Sequence, residues 1–164
     1  MKKVVIILVL ASCFIATSFA QNAPKIQRAY AFYTMSTPGM AMTDEKGNTI
    51  NPTPIVDHFI YVETPGIIKP DITNVSYNLS KYKVTVGRAE TALVNVGKSS
   101  EMGKEITLRT HKGYSLWKID LQLISPENDK KSDGVHISIN GISNKRPYTF
   151  RIYRETQLIT PDRY

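Results

Sequence analysis

Cysteine occurs once in the 164 residues, at position 13, and tryptophan once, at position 117. A single cysteine excludes an internal disulfide and a cysteine-based zinc site. No stretch of ten or more residues beyond position 20 carries a sustained 3.6-residue apolar period, which argues against a helical domain. No second long hydrophobic run follows the first, no internal repeat is visible, and charged residues make up only 21% of the chain. The 41% hydrophobic content is that of a globular domain rather than a disordered one. One domain of this size buries enough surface to fold without a metal or disulfide staple.

What is present begins at the N-terminus. Residues 1–20, MKKVVIILVLASCFIATSFA, place two lysines before an apolar run and end on small residues at Ser18-Phe19-Ala20. This is the pattern of a secretory signal, with cleavage expected between Ala20 and Gln21. The apolar stretch falls short of the ~20 residues a membrane span needs. Within it, Leu10-Ala11-Ser12-Cys13 resembles the lipobox of bacterial lipoproteins, in which the cysteine is lipid-modified and becomes the first residue. Cys13 is the anchor on that alternative, whereas cleavage at Ala20 discards it. Either way, a membrane is touched only through the signal or the lipid.

Loss of residues 1–20 removes Lys2 and Lys3 and lowers the formal charge from +7 to +5. An exported chain of this charge is expected to meet anionic lipid or polysaccharide rather than nucleic acid. Much of the excess falls late in the chain, and Lys145, Arg146, Arg151 and Arg154 form the candidate basic face. A solvated strand surface accounts for the same residues without a ligand.

Beyond residue 20 the apolar pattern has period two. Tyr30, Phe32 and Thr34 share one face of a strand, with Ala29, Ala31, Tyr33 and Met35 on the other. Similar alternation runs through 56–63, 75–79, 82–86, 92–96, 106–110, 115–123, 135–139 and 148–152. Gly, Pro and Asn punctuate these runs, with Asn140-Gly141 the strongest short hairpin signal. The expected domain, residues 21–164, is all-β: an antiparallel two-sheet sandwich of immunoglobulin-like kind, with a small β-barrel as the alternative. Trp117 is placed as a plug in its core. Tyr33, Tyr61 and Tyr153 are placed on the polar sides of their strands. Residues 36–55 read as a long loop of the kind that carries function.

No motif of catalysis is found. There is no G-x-S-x-G, P-loop, G-x-G-x-x-G or H-E-x-x-H, and Asp57 and His58, as strand neighbours, point to opposite faces. No cofactor is expected. Met35, Met40 and Met42 form a thioether-rich group suited either to a soft metal such as Cu(I) or to an adaptable apolar contact. The signal end Ser18-Phe19-Ala20-Gln21, the stretch Arg28-Ala29-Tyr30-Ala31-Phe32-Tyr33, Pro38-Gly39-Met40 and Phe59-Ile60-Tyr61-Val62-Glu63 are similar to small exported proteins of Bacteroidetes-type bacteria. That resemblance implies a periplasmic or outer-membrane-associated location. The expectation is a non-enzymatic accessory module that binds another envelope protein, partly by lending an exposed strand to the partner's sheet. A carbohydrate- or copper-binding module, and a small hydrolase without a visible motif, are the alternatives.

Overall fold

The computed structural model describes residues 23–36, 42–43, 45, 49–50, 54–125 and 134–160, and among them it contains strands and no helix. In chain order the strands are β1 (Arg28–Ser36), β2 (Met42–Thr43), β3 (Thr49–Ile50), β4 (Ile55–Pro65), β5 (Asp71–Tyr77) and β6 (Ser80–Arg88). They continue as β7 (Leu93–Lys98), β8 (Glu105–Arg109), β9 (Tyr114–Ser125), β10 (Ile137–Ser143), β11 (Arg146–Ile152) and β12 (Glu155–Leu158). Eight of them form one sheet in the order β11-β10-β5-β6-β9-β4-β1-β12, while β2-β3 and β7-β8 are separate pairs.

The chain connectivity forces this sheet to curl. Seven gaps of ~4.8 Å would set the edge strands of a flat sheet ~34 Å apart. Yet β11 and β12, the two edges, are joined by Tyr153 and Arg154 alone, a link that reaches at most ~11 Å between the flanking Cα atoms. The sheet therefore closes on itself into a half-barrel, with opposed walls packed like the layers of a sandwich. Pairing is antiparallel throughout the large sheet except at the closure, where β12 runs parallel to β1 in the register Ala31↔Glu155 to Thr34↔Leu158. β11 and β12 act as one strand that changes partners at a corner.

The period-two pattern sorts side chains into two cores. Ile60 and Val62 of β4, Val75 of β5, Trp117 and Ile119 of β9, and Ile137 and Ile139 of β10 fill the inside of the curl. The outer face of β1, β4 and β9 is not left to water, because the β7-β8 pair covers it. Phe32, Tyr61, Leu108, Leu116 and Leu158 form a second core there. Tyr61 is thus buried rather than on a polar face, its ring edge-on to Phe32 at 6.3 Å and to Phe59 at 6.1 Å. Tyr33 likewise faces the interior, where its hydroxyl donates to Gln157 Oε1 at 3.1 Å. Tyr153 is exposed, as expected.

The turns refine the reading of the Asn-Gly pair. Asn144 and Lys145, with φ of 51° and 61°, make the tight hairpin between β10 and β11, and Asn78 and Leu79 do the same between β5 and β6. Asn140-Gly141 instead lies inside β10, at a register shift against β5. Glycine is required there by close approach: a Cβ would sit 2.5 Å from the Asp71 carbonyl oxygen and 3.0 Å from the Tyr148 ring. Because a backbone carbonyl cannot swing aside, Gly141→Ala is expected to cost about 1–3 kcal/mol. A urea midpoint unchanged in that variant would contradict the tight β5-β10-β11 packing.

Candidate functional site

Two polar assemblies and one groove stand out among the described residues. The first assembly lies inside the curl. β4 sets His58 opposite Tyr33, and the parallel register brings Glu155 of β12 beside Ala31, so that both side chains point inward. Glu155, 4% exposed at its side chain, takes His58 Nδ1 at 2.9 Å on one oxygen and the Tyr77 hydroxyl on the other. The His58 ring lies 4.2 Å from that of Tyr77 and 6.5 Å from that of Tyr82. Burial, then the hydrogen bond to Glu155 and its charge, push the Tyr77 phenol well above its ordinary value of 10.0; burial and Glu155 raise Tyr82 too. Tyr77 is therefore a hydrogen-bond donor at neutral pH and not a phenolate nucleophile. The assembly ties β5 to β12 across the interior, and its chemistry is that of a clasp.

The second assembly holds the loop between β8 and β9. Glu63, 1% exposed, accepts from Arg28 Nη1 at 3.0 Å and from the His111 backbone N–H at 2.6 Å, with His111 Nδ1 at 2.9 Å. Burial alone would raise the Glu63 carboxyl, but the His111 backbone and ring and the Arg28 guanidinium outweigh it and hold the group below its ordinary 4.5. A few ångströms along β4, Thr64 accepts the Trp117 Nε1 proton at 2.8 Å.

The groove is the seam of the half-barrel. β12 pairs only with Ala31–Thr34, so among the described residues Arg28–Tyr30 pair with β4 on one side and with no strand on the other, and the end of β11 lies across from them. Arg28, Tyr30, Phe150, Arg151, Tyr153 and Arg154 line an open groove of about 450 Å³ at this place. β11 pairs with β10 alone, and among the described residues its outer edge makes no backbone hydrogen bond to another strand. That edge is rigidly presented: Thr149 Oγ1 donates to Asn140 Oδ1 and Asn140 Nδ2 to Asn74 Oδ1, each at 2.8 Å, tying β11 to β10 and β5. Two further open grooves measure about 510 Å³ beside Arg88–Ala92 and 480 Å³ beside Lys69–Ile72; the second borders Val84–Val86 of β6, which have no β5 partner, but each is lined by a single basic residue, against three arginines at the seam.

Of the residues singled out by sequence, Trp117 is in the inner core at 5% exposure. The four basic residues are all exposed. Lys145 and Arg146 sit at the turn that starts β11, whereas Arg151 and Arg154 sit at its other end beside Arg28. Met35 is 43% exposed at the end of β1, the backbone of Met42 pairs with Ile50, and Met40 and Cys13 lie outside the described residues, as do residues 1–20. Among the described residues no three His, Cys, Asp or Glu side chains converge to hold a metal, and no helix is long and apolar enough to cross a membrane. Sequence reasoning missed Glu155, Glu63 and Arg28. Their partners are 97, 48 and 35 positions away, beyond any local spacing rule. No family model, curated protein or solved structure matches the chain.

Proposed function

We propose that the protein is an exported, non-enzymatic interaction module of the cell envelope, and that it binds another envelope protein at the seam between β11 and β1. The observation that carries this reading is the unpaired outer edge of β11 lying within a side-chain-lined groove. Exposed strand edges pair readily with another chain; this one carries Arg146, Pro147 and Arg151, which restrict which chains can approach it, and it is held stiff by the Asn74–Asn140–Thr149 ladder. The export half of the proposal rests on residues 1–20.

The two halves have separate tests. Intact mass of the protein from its native host is expected to give a chain starting at Gln21; a diacylated start at Cys13 would keep the envelope location and change the anchor, and an intact Met1 would refute export. A photo-crosslinking amino acid at Tyr153, in intact envelopes, is expected to trap one specific protein. The same group at Ile67, exposed but remote from the groove, is expected to trap none. Equal trapping at both positions, or none at Tyr153, would overturn the seam as the interface.

A further inference from the structure

We infer that the seam takes an acidic, extended segment of its partner, which adds to the free edge of β11 as an extra strand; the inference rests on the interface reading above and specifies its chemistry. A seven-residue strand offers an edge of ~24 Å at ~3.4 Å per residue. On this edge Pro147, Thr149 and Arg151 face outward; Pro147 presents only its C=O, whereas Thr149 and Arg151 present both N–H and C=O, which an incoming backbone satisfies in the manner of strand addition.

Charge selects which backbone can approach. Arg151 and Arg154 are exposed, and among the described residues no carboxylate lies within 4.0 Å of either. Arg28 is held at the groove by Glu63, whose own charge is already met by Arg28 and His111. The groove therefore carries uncompensated positive charge in a form suited to paired hydrogen bonds with carboxylates. Tyr30, Phe150 and Tyr153 add apolar surface for the alternate side chains of a bound strand.

The same charge disfavours two other occupants. A second copy of this chain pairing edge to edge would bring Arg146, Arg151 and Arg154 of both chains into one interface, and like charges brought together across a strand pair are destabilising. An anionic lipid surface or polysaccharide would meet the arginines but would leave the β11 amides and carbonyls unpaired.

The test uses a blocked octapeptide of alternating Glu and Val, with fluorescence anisotropy at low salt and with the full-length exported protein. Two versions carry N-methyl groups on the odd or the even residues, and a third has Lys for Glu. Binding of the Glu peptide is expected to be abolished by one N-methyl set and spared by the other, since only alternate amides face the sheet. The double variant Arg151→Glu, Arg154→Glu is expected to bind about tenfold more weakly, with an unchanged urea midpoint. Binding that tolerates both N-methyl sets would overturn strand addition, and equal binding of the Lys peptide would overturn the acidic requirement. No peptide binding together with a Tyr153 crosslink would refute this inference while the interface stands. Failure of the crosslink would instead refute the interface. Retention on vesicles of phosphatidylglycerol, lost in the double variant and without peptide binding, would assign the arginines to lipid and overturn the proposal.

Discussion

Replacing Trp117 with alanine is expected to lower the unfolding free energy by about 4 kcal/mol, within the range for truncating a buried aromatic side chain. The indole is 5% exposed and packs with Ile60, Val62, Ile119 and their neighbours in the inner core, so its removal opens a cavity that a curled sheet cannot collapse. Loss of Nε1 also strips Thr64, fully buried, of its 2.8 Å donor, and an orphaned buried polar group adds about 1–3 kcal/mol. Small domains carry only ~5–15 kcal/mol in all, so the variant should sit close to unfolding. Trp117→Phe separates the terms, keeping most of the volume and losing only the hydrogen bond. Urea unfolding followed by circular dichroism checks both; a loss under about 1 kcal/mol for the alanine variant would be incompatible with the packing described.

Glu63→Ala is the second large effect, at about 3 kcal/mol, because it leaves Arg28 and the His111 backbone N–H without their buried acceptor. Its pH dependence has a defined sign. The folded-state pKa of Glu63 is held below its ordinary 4.5, so the unfolded chain binds the proton more readily than the folded one. The stabilisation is present above the unfolded value and is lost as pH falls through the folded value. Glu63→Gln keeps the shape and removes the titration, so its stability should be lower than that of the parent at neutral pH and the gap should narrow in acid. A gap that is constant between pH 7 and pH 3 would show that the charge contributes nothing. Arg28 also lines the seam, so loss of Glu63 is expected to loosen one wall of the groove.

The strands of the large sheet were legible because half-buried strands alternate. The runs around Tyr30, Val62, Val75, Val84, Trp117, Ile137 and Phe150 all lie in strands. β12 was not legible, since Glu155-Thr156-Gln157-Leu158 puts two polar residues on the inward side and reads as a tail. The second core was hidden for a related reason. Tyr61 beside Lys118 and Asp120 looks like a wet face until β7 and β8 fold over it, and that cover follows from chain path, not from local pattern. The corner at Tyr153–Arg154 turns a sandwich of separate sheets into one curled sheet, and two connecting residues give no periodic sign of it. The candidate groove was only half visible: the arginines of β11 stood out by charge, whereas their division between two ends of the strand follows from the register with β10.

The parallel pairing of β1 with β12 also has a consequence in time. Ala31 and Glu155 stand 124 residues apart yet share a register, which is a contact of very high sequence separation, and such contacts slow folding. β1 can gain its outer partner only after the region around residue 155 has been synthesised. A chain that crosses a membrane N-terminus first would therefore keep its leading strand incompletely paired until nearly all of it had passed. Under the export proposed above, a delay in closing the half-barrel keeps the chain able to pass a narrow translocation pore, which admits only a chain that has not yet finished folding.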